Sequence, residues 1–429
     1  MNFTGLSLDQ APPISAPIRF FLTAPLFAML GALLIFFSDT TALMGRYSLE
    51  SISVTHLFTI GFIGMVMLGA LQQMLPVLAG VSIPKAALVA TLSHLMIVVG
   101  LLLMVGGLLS STKIMLFIAT LLLGSGFTLL LIAIFLAIRK VTFLNATIRA
   151  MRWALAFAGV TVLLGMHLLS SHAIGISSSM HLVFANIHAV VGALGFAGVL
   201  VMGVSFQVIP MFYVTPAFNE SYQKYLVLAV VVSLILWSVL GFFMDAYAWV
   251  GKLLLSIIFF GYGALVLQKM SQRKRPIADI TVYYWRLSGA MALMGFLFWF
   301  VSGFVDVDLM TLVALIVGGG FLMSVITGML YKIIPFLVWF HLNGMGYMSI
   351  PSMGEMVNKK MALVQFVLFV FALVLFVLAF WLPLLSKLAA MSLLLSMVLL
   401  EINLVTAYRN YGETCKRKPD FDMSMMGNT

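Results

Sequence analysis

The sequence predicts an all-α polytopic membrane protein of about 12 transmembrane helices in three pseudo-symmetric four-helix units. Three observations predict it. The chain is 63 % hydrophobic and only 8 % charged, apolar runs of bilayer length fill nearly all of its 429 residues, and one residue pattern recurs in three places four spans apart. Soluble domains carry roughly 25 % charge, so a mean hydropathy of +1.16 excludes that class. A span needs about 20 consecutive apolar residues. The spans read 17–38, 53–78, 85–109, 113–138, 147–170, 179–211, 224–244, 248–268, 283–304, 309–337, 360–383 and 387–408. They form one membrane domain over 17–408, with units at about 17–138, 147–268 and 283–408, an N-terminal segment 1–16 and a polar tail 409–429.

The first span is expected to stay in the membrane, because residues 1–16 lack the basic start, short apolar stretch and cleavage site of a signal peptide. Spans four, eight and twelve are followed by the densest basic clusters: Arg139, Lys140, Arg149 and Arg152; Lys269, Arg273, Lys274 and Arg275; Arg409, Lys416, Arg417 and Lys418. All three fall on one side, which the positive-inside rule makes cytoplasmic, together with both termini. The loops after spans five, seven and nine then face outward, with Asp245, Asp306 and Asp308. Tyr283, Tyr284 and Trp285 before span nine, and Trp339 after span ten, stand where interfacial anchors would. The net charge of +10 is thus a topology signal, and the expected partner is the lipid bilayer, with no nucleic acid. Cys415 is the only cysteine, which rules out disulfides within the chain and thiolate metal clusters.

Spans two, six and ten carry the repeat. Gly61-Phe62, Gly195-Phe196 and Gly320-Phe321 start it; eight residues after the first glycine stand Gly69, Gly203 and Gly328, twelve after stand Gln73, Gln207 and Lys332, and fifteen after stand Pro76, Pro210 and Pro335. An even number of spans separates the copies, so they run parallel. At roughly 100° per residue the four offsets share one helix face. The glycines there would permit close helix approach, and each proline would end its span. The polar residues either form a ring near the inner surface or snorkel to it.

Five of the seven histidines, His56, His167, His172, His181 and His188, fall in the outer half or outer loop. Imidazole suits haem iron, copper and zinc, and an ionisable group inside a membrane is a functional candidate. His56 and His188 match in depth, but the rotation places them on different flanks of their helices, which allows separate compartments. His94 and His341 read as structural. The 31 methionines are spread as core filler, and Met423, Met425 and Met426 have no His or Cys beside them. Glu401 and Asn403 are a further intramembrane polar group, suited to a paired neighbour or a proton path.

Twelve spans in three parallel units, with histidines near the outer ends of the second and sixth, resemble the plan of haem-copper oxidase subunit I. Locally, His56, Gly61, Phe62, Gly69 and Pro76 resemble the second-span pattern of the NnrS family of haem- and copper-containing membrane proteins linked to nitric-oxide stress, and His188-Ala-Val-Val-Gly-Ala-Leu-Gly resembles another of its segments with one residue fewer. The resemblance implies haem b, with copper as a further candidate, His56 and His188 as cofactor ligands with His181, His167 and His172 in support, other respiratory membrane subunits or a homo-oligomer as partners, and a bacterial inner membrane. The chain departs from the oxidases in having no histidine pair in span seven and none at the haem positions of span ten, so an oxygen-reducing binuclear centre is not expected.

Three readings of function remain open. One is a haem- or metal-binding protein of respiratory or nitric-oxide-related metabolism. Another is a transporter or channel with a path lined by the glycine face, Gln73, Gln207 and Lys332, and with Glu401 as a further polar member. The last is a structural subunit of a respiratory complex. No nucleotide-binding glycine loop, paired HExxH histidines or hydrolase triad is present, so an active site of the soluble type is not expected.

Overall fold

Within lipid the backbone must satisfy its own hydrogen bonds, which leaves helices as the solution for runs this apolar. The structure, a computed structural model, describes residues 11–39, 43, 45–175, 178–275 and 278–421. Residues 1–10 of the N-terminal segment, and Met423, Met425 and Met426 in the tail, lie outside the described residues. Among the described residues there are 12 helices long and apolar enough to cross a membrane: α1 (Ser15–Phe37), α2 (Leu49–Val77), α3 (Ala86–Ser110), α4 (Lys113–Ile138), α5 (Ala146–Ile174), α6 (His181–Tyr213), α7 (Glu220–Phe243), α8 (Asp245–Ser271), α9 (Ile280–Val301), α10 (Met310–Gly344), α11 (Lys359–Leu378) and α12 (Leu385–Thr414).

The ends follow local chemistry. Asn145, Asn219, Asp279 and Asn358 cap α5, α7, α9 and α11 through side-chain oxygens that accept from the first turn. Gly80 and Gly175 end α2 and α5 in the left-handed conformation. Pro76 and Pro210 lie within a turn of the ends of α2 and α6, as expected, but α10 runs on past Pro335 to Gly344. A proline removes one N–H and strains one turn; the following turns of α10 keep their bonds, and the helix turns off only before Gly346 at φ 88.

Burial sorts the helices into two layers. In α2, α6 and α10, 61 %, 67 % and 72 % of the apolar window is buried, and no other helix exceeds 50 %. These three repeat-bearing helices meet at the centre. Around them the others close a ring, with α4 against α5, α8 against α9 and α12 against α1. The outer faces show exposed Leu, Ile, Val and Phe, as a lipid-facing surface does.

The glycine columns are the joint between the layers. A Cβ at Gly61 would stand 2.5 Å from Phe27 of α1, at Gly195 2.7 Å from Phe157 of α5 and at Gly320 2.8 Å from Met291 of α9. The second column repeats this with Gly69 on Phe21, Gly203 on Ala150 and Gly328 on Tyr284. Each inner helix thus presses its glycines against the first helix of its own unit. Each also opens into a π-helix at the same register: Leu57–Gly64, Val191–Gly198 and Leu315–Met323, all ending three residues after the first glycine of the repeat.

Tyr284 and Trp285, expected as interfacial anchors, are 0 % and 3 % exposed. The Tyr284 hydroxyl donates to Gln365 Oε1 at 2.7 Å, Tyr331 donates to the same oxygen at 3.2 Å, and Gln365 Nε2 donates to Ser396 at 2.8 Å. A buried polar knot therefore ties α9, α10, α11 and α12.

Gly203→Ala, which places a methyl 2.0 Å from the Ala150 Cβ, is expected to destabilise the protein by about 1–3 kcal/mol through overpacking. Gly261→Ala, where a Cβ meets nothing within 4 Å, should be neutral or stabilising by up to about 1 kcal/mol. Thermal unfolding of both variants in one detergent measures the difference.

Candidate functional site

The chain places chemistry at both ends of the three inner helices. At one end stand the histidines. His56 closes the first α-helical stretch of α2, one residue before its π segment, and His188 stands on α6 three residues before its own. Their rings lie with centres 6.0 Å apart and planes 21° apart. The two residues, read from the sequence as standing on different flanks of their helices, are brought together by the fold. When helices are related by rotation about a common axis, the clockwise flank of one faces the counter-clockwise flank of the next.

Each ring is held by its other nitrogen. His56 Nδ1 lies 2.7 Å from the Ile52 carbonyl oxygen, and His188 Nδ1 lies 3.0 Å from the Thr161 carbonyl oxygen of α5. A carbonyl only accepts, so both Nδ1 atoms carry the proton and both Nε2 atoms keep a lone pair. Gly165 leaves room for the His188 ring, since a Cβ there would stand 3.0 Å from His188 Cε1. Above the pair, Asn186 Oδ1 accepts from Arg46 at 2.8 Å and from Tyr47 at 3.0 Å, which ties the segment before α2 to α6.

The other histidines at this end do not join the pair. His172 and His181 meet edge to face at 5.5 Å, while His167 packs against Phe184 at 5.2 Å. Among the described residues no three His, Cys, Asp or Glu side chains converge on a point that could hold a metal ion. His94 bonds Thr23 at 2.9 Å, and His341 bonds the carbonyls of Leu337 and Pro12 at 2.9 and 3.0 Å; both tie structure together, as expected.

At the other end, which carries the basic clusters, Gln73, Gln207 and Lys332 line a single cavity of about 830 Å3. The three polar residues of the repeat thus border one cavity, but the glycine face does not line it, because the glycines point away to α1, α5 and α9. Lys332 is paired with Asp279, the N-cap of α9, which also accepts from the Thr281 amide at 3.1 Å. Tyr213 of α6 donates to Thr281 at 2.7 Å, so three helices are joined at this rim. Burial pushes the Asp279 carboxyl up, but the neighbouring Lys332 ammonium and the hydrogen bonds from Lys332 and Thr281 outweigh it and hold the group below the ordinary carboxylate value. Glu401 lies on α12, away from this rim, with one carboxyl oxygen buried and unbonded, and Asn403 accepts from the Asn358 amide at 3.0 Å.

The sequence did not point to Thr161, Gly165 or Asn186, whose roles depend on tertiary neighbours. Nor did it single out Asp279, although an Asp directly before an apolar run is a cap signal. Searched against known families, the chain matches no family model, and no curated protein matches it in sequence.

The Asp279 pair gives a pH signature. With its folded value below the unfolded one of about 3.9, the carboxylate contributes fully above that pH and loses its contribution as the pH falls through the lowered value. The two side chains are 18 % and 43 % exposed, so Asp279→Asn should cost roughly 0.2–1 kcal/mol at pH 6. Thermal midpoints from pH 6 to 3 are expected to converge for the wild type and the variant; a gap independent of pH would contradict the assignment.

Proposed function

We propose that the protein holds one metal-centred cofactor between His56 and His188, the iron of a haem b first and a single copper ion second, and works there by small-ligand binding or one-electron chemistry. The observation that carries this reading is the pair itself: two rings with Nδ1 fixed by carbonyls, Nε2 free, and centres 6.0 Å apart. Imidazole nitrogens bind a metal at about 2.0–2.1 Å, and with about 1.1 Å from nitrogen to ring centre, two rings on one ion stand at most roughly 6.3 Å apart. The 6.0 Å separation lies within that limit.

When bound, a haem held by both residues would supply an accessible change of oxidation state, and a copper ion held by them would also keep a coordination position for a ligand such as nitric oxide. The chain's own residues do the remaining work. The Ile52 and Thr161 carbonyls set the tautomer and raise the basicity of Nε2. Gly165 leaves the space that the His188 ring occupies. Leu57 and Val191, 0 % and 3 % exposed, help keep water from the inner side. The residues do not fit an oxygen-reducing binuclear centre, since α7 has no histidine and the one histidine of α10, His341, is held by backbone carbonyls. A respiratory or nitric-oxide-related setting follows from the resemblance of spans two and six to the NnrS pattern. The cavity at the basic end favours transport as a second reading, with apolar walls in place of a glycine face.

The test is a reduced-minus-oxidised optical spectrum with iron, copper and zinc analysis on the purified protein. His56→Ala and His188→Ala are each expected to remove the cofactor, while His94→Ala and His172→Ala retain it. A folded wild-type protein without colour or metal would sink the proposal.

A further inference from the structure

The cavity at the basic end is independent of the histidine pair, and its chemistry is graded along its depth. Its deepest walls are apolar: Val66 and Met67 of α2, Leu200 of α6, and Val325 and Ile326 of α10. About one and a half to two turns further along these helices comes the polar ring of Gln73, Gln207 and Lys332. At roughly 1.5 Å per residue, the seven residues from Val66 to Gln73 give an apolar depth of about 10 Å. Gln73 is only 3 % exposed, yet neither its Nε2 nor its Oε1 has a partner. Both atoms are also closed off from the open space, so the half-buried Gln207 amide is the one that meets it at this level. The rim adds Arg275 and Lys359 to Lys332, against the single carboxylate of Asp279. A volume of about 830 Å3 lies within the usual range of ligand sites, roughly 300–1,000 Å3.

We infer that this cavity binds an anionic amphiphile, with its head group at the Gln73, Gln207 and Lys332 ring and its hydrocarbon body directed toward the middle of the bundle. The rim cations select the negative head, and the half-buried Gln207 amide stands at the same level to donate to one of its oxygens. The walls take up the hydrocarbon. Because the polar ring lies toward the end of the helices and the apolar floor toward their middle, the occupant enters in the orientation of a lipid in the adjacent leaflet. The head-group chemistry is shared by a fatty-acid carboxylate and a phospholipid phosphate.

The experiment uses the purified full chain in a non-ionic detergent and two probes: a fluorescent medium-chain fatty acid and its uncharged methyl ester. The acid is expected to bind saturably, at least tenfold more tightly than the ester. Met329→Trp, which fills the apolar part of the cavity just below the ring, should abolish binding of both probes. Lys359→Gln and Arg275→Gln, at exposed positions where folding is not at stake, should each weaken the acid severalfold and leave the ester unchanged. Competition by a short-chain phosphatidylglycerol that displaces the acid identifies a phospholipid site, and its failure to compete identifies a free-acid site; either result supports the inference. Equal affinity for acid and ester, or binding unaffected by Met329→Trp, overturns it. Binding is read without any metal, so failure here is distinct from failure of the histidine reading.

Discussion

Where α6 crosses α5, a Cβ on Gly203 would stand 2.0 Å from that of Ala150, and α2 on α1 and α10 on α9 make the same kind of crossing at Gly69 and Gly328. Lipid chains are as apolar as leucine, so helices in a bilayer gain little from the hydrophobic effect and associate through close packing. Three such crossings fix three helices inside a ring of nine. That arrangement makes their ends adjacent, and the histidine pair and the basic-end cavity both depend on it. Loosening one crossing is therefore felt at both ends of the same helix.

The π segments add a second constraint at the same level. A π turn replaces the i→i+4 bond with i→i+5 and is found mostly as a local bulge at functional sites. Here it recurs at one register in all three inner helices, and the segment of α10 touches those of α2 and α6. Recurrence in three copies argues that the distortion belongs to the repeated unit. Only in α2 and α6 does a histidine stand just before it, and in α10 the residues before it, Met310–Ala314, carry none. The chain has thus kept the backbone device in three places and ring nitrogens in two.

The number and placement of helices were legible because span length and charge bias are imposed by the bilayer and act locally; span four was read at the very residues the structure gives, 113–138. The repeat was legible for the same reason, through fixed offsets along the chain. What the offsets could not supply was the direction of each face. Glycines and polar residues were read as one face, yet the glycines turn to the outer helices while Gln73, Gln207 and Lys332 turn to the cavity. Likewise the depths of His56 and His188 were readable, but their meeting was not, because it depends on which flanks rotation about the bundle axis brings together. Tyr284 reads as an anchor by position along the chain, and only the partner Gln365, 81 residues away, explains why it is buried.

The two candidate sites lie on opposite sides of the π segments. His56 and His188 stand before them, and the cavity's innermost lining residues, Val66, Leu200 and Val325, follow within two residues of their ends. The inner helices meet between the two sites, with Phe62, Leu194 and Phe321 each buried to 3 % exposure or less. A buried apolar layer of this kind keeps polar ligands and water of one site from the other, since an uncompensated polar group within it costs several kcal/mol. An event at the histidines can therefore reach the cavity only through movement of the three helices themselves, and the tight glycine crossings resist such movement. The fold thus serves as a rigid frame for two separate chemistries, a pair of imidazoles at one end and an amphiphile pocket at the other, each of which can be removed without taking the other with it.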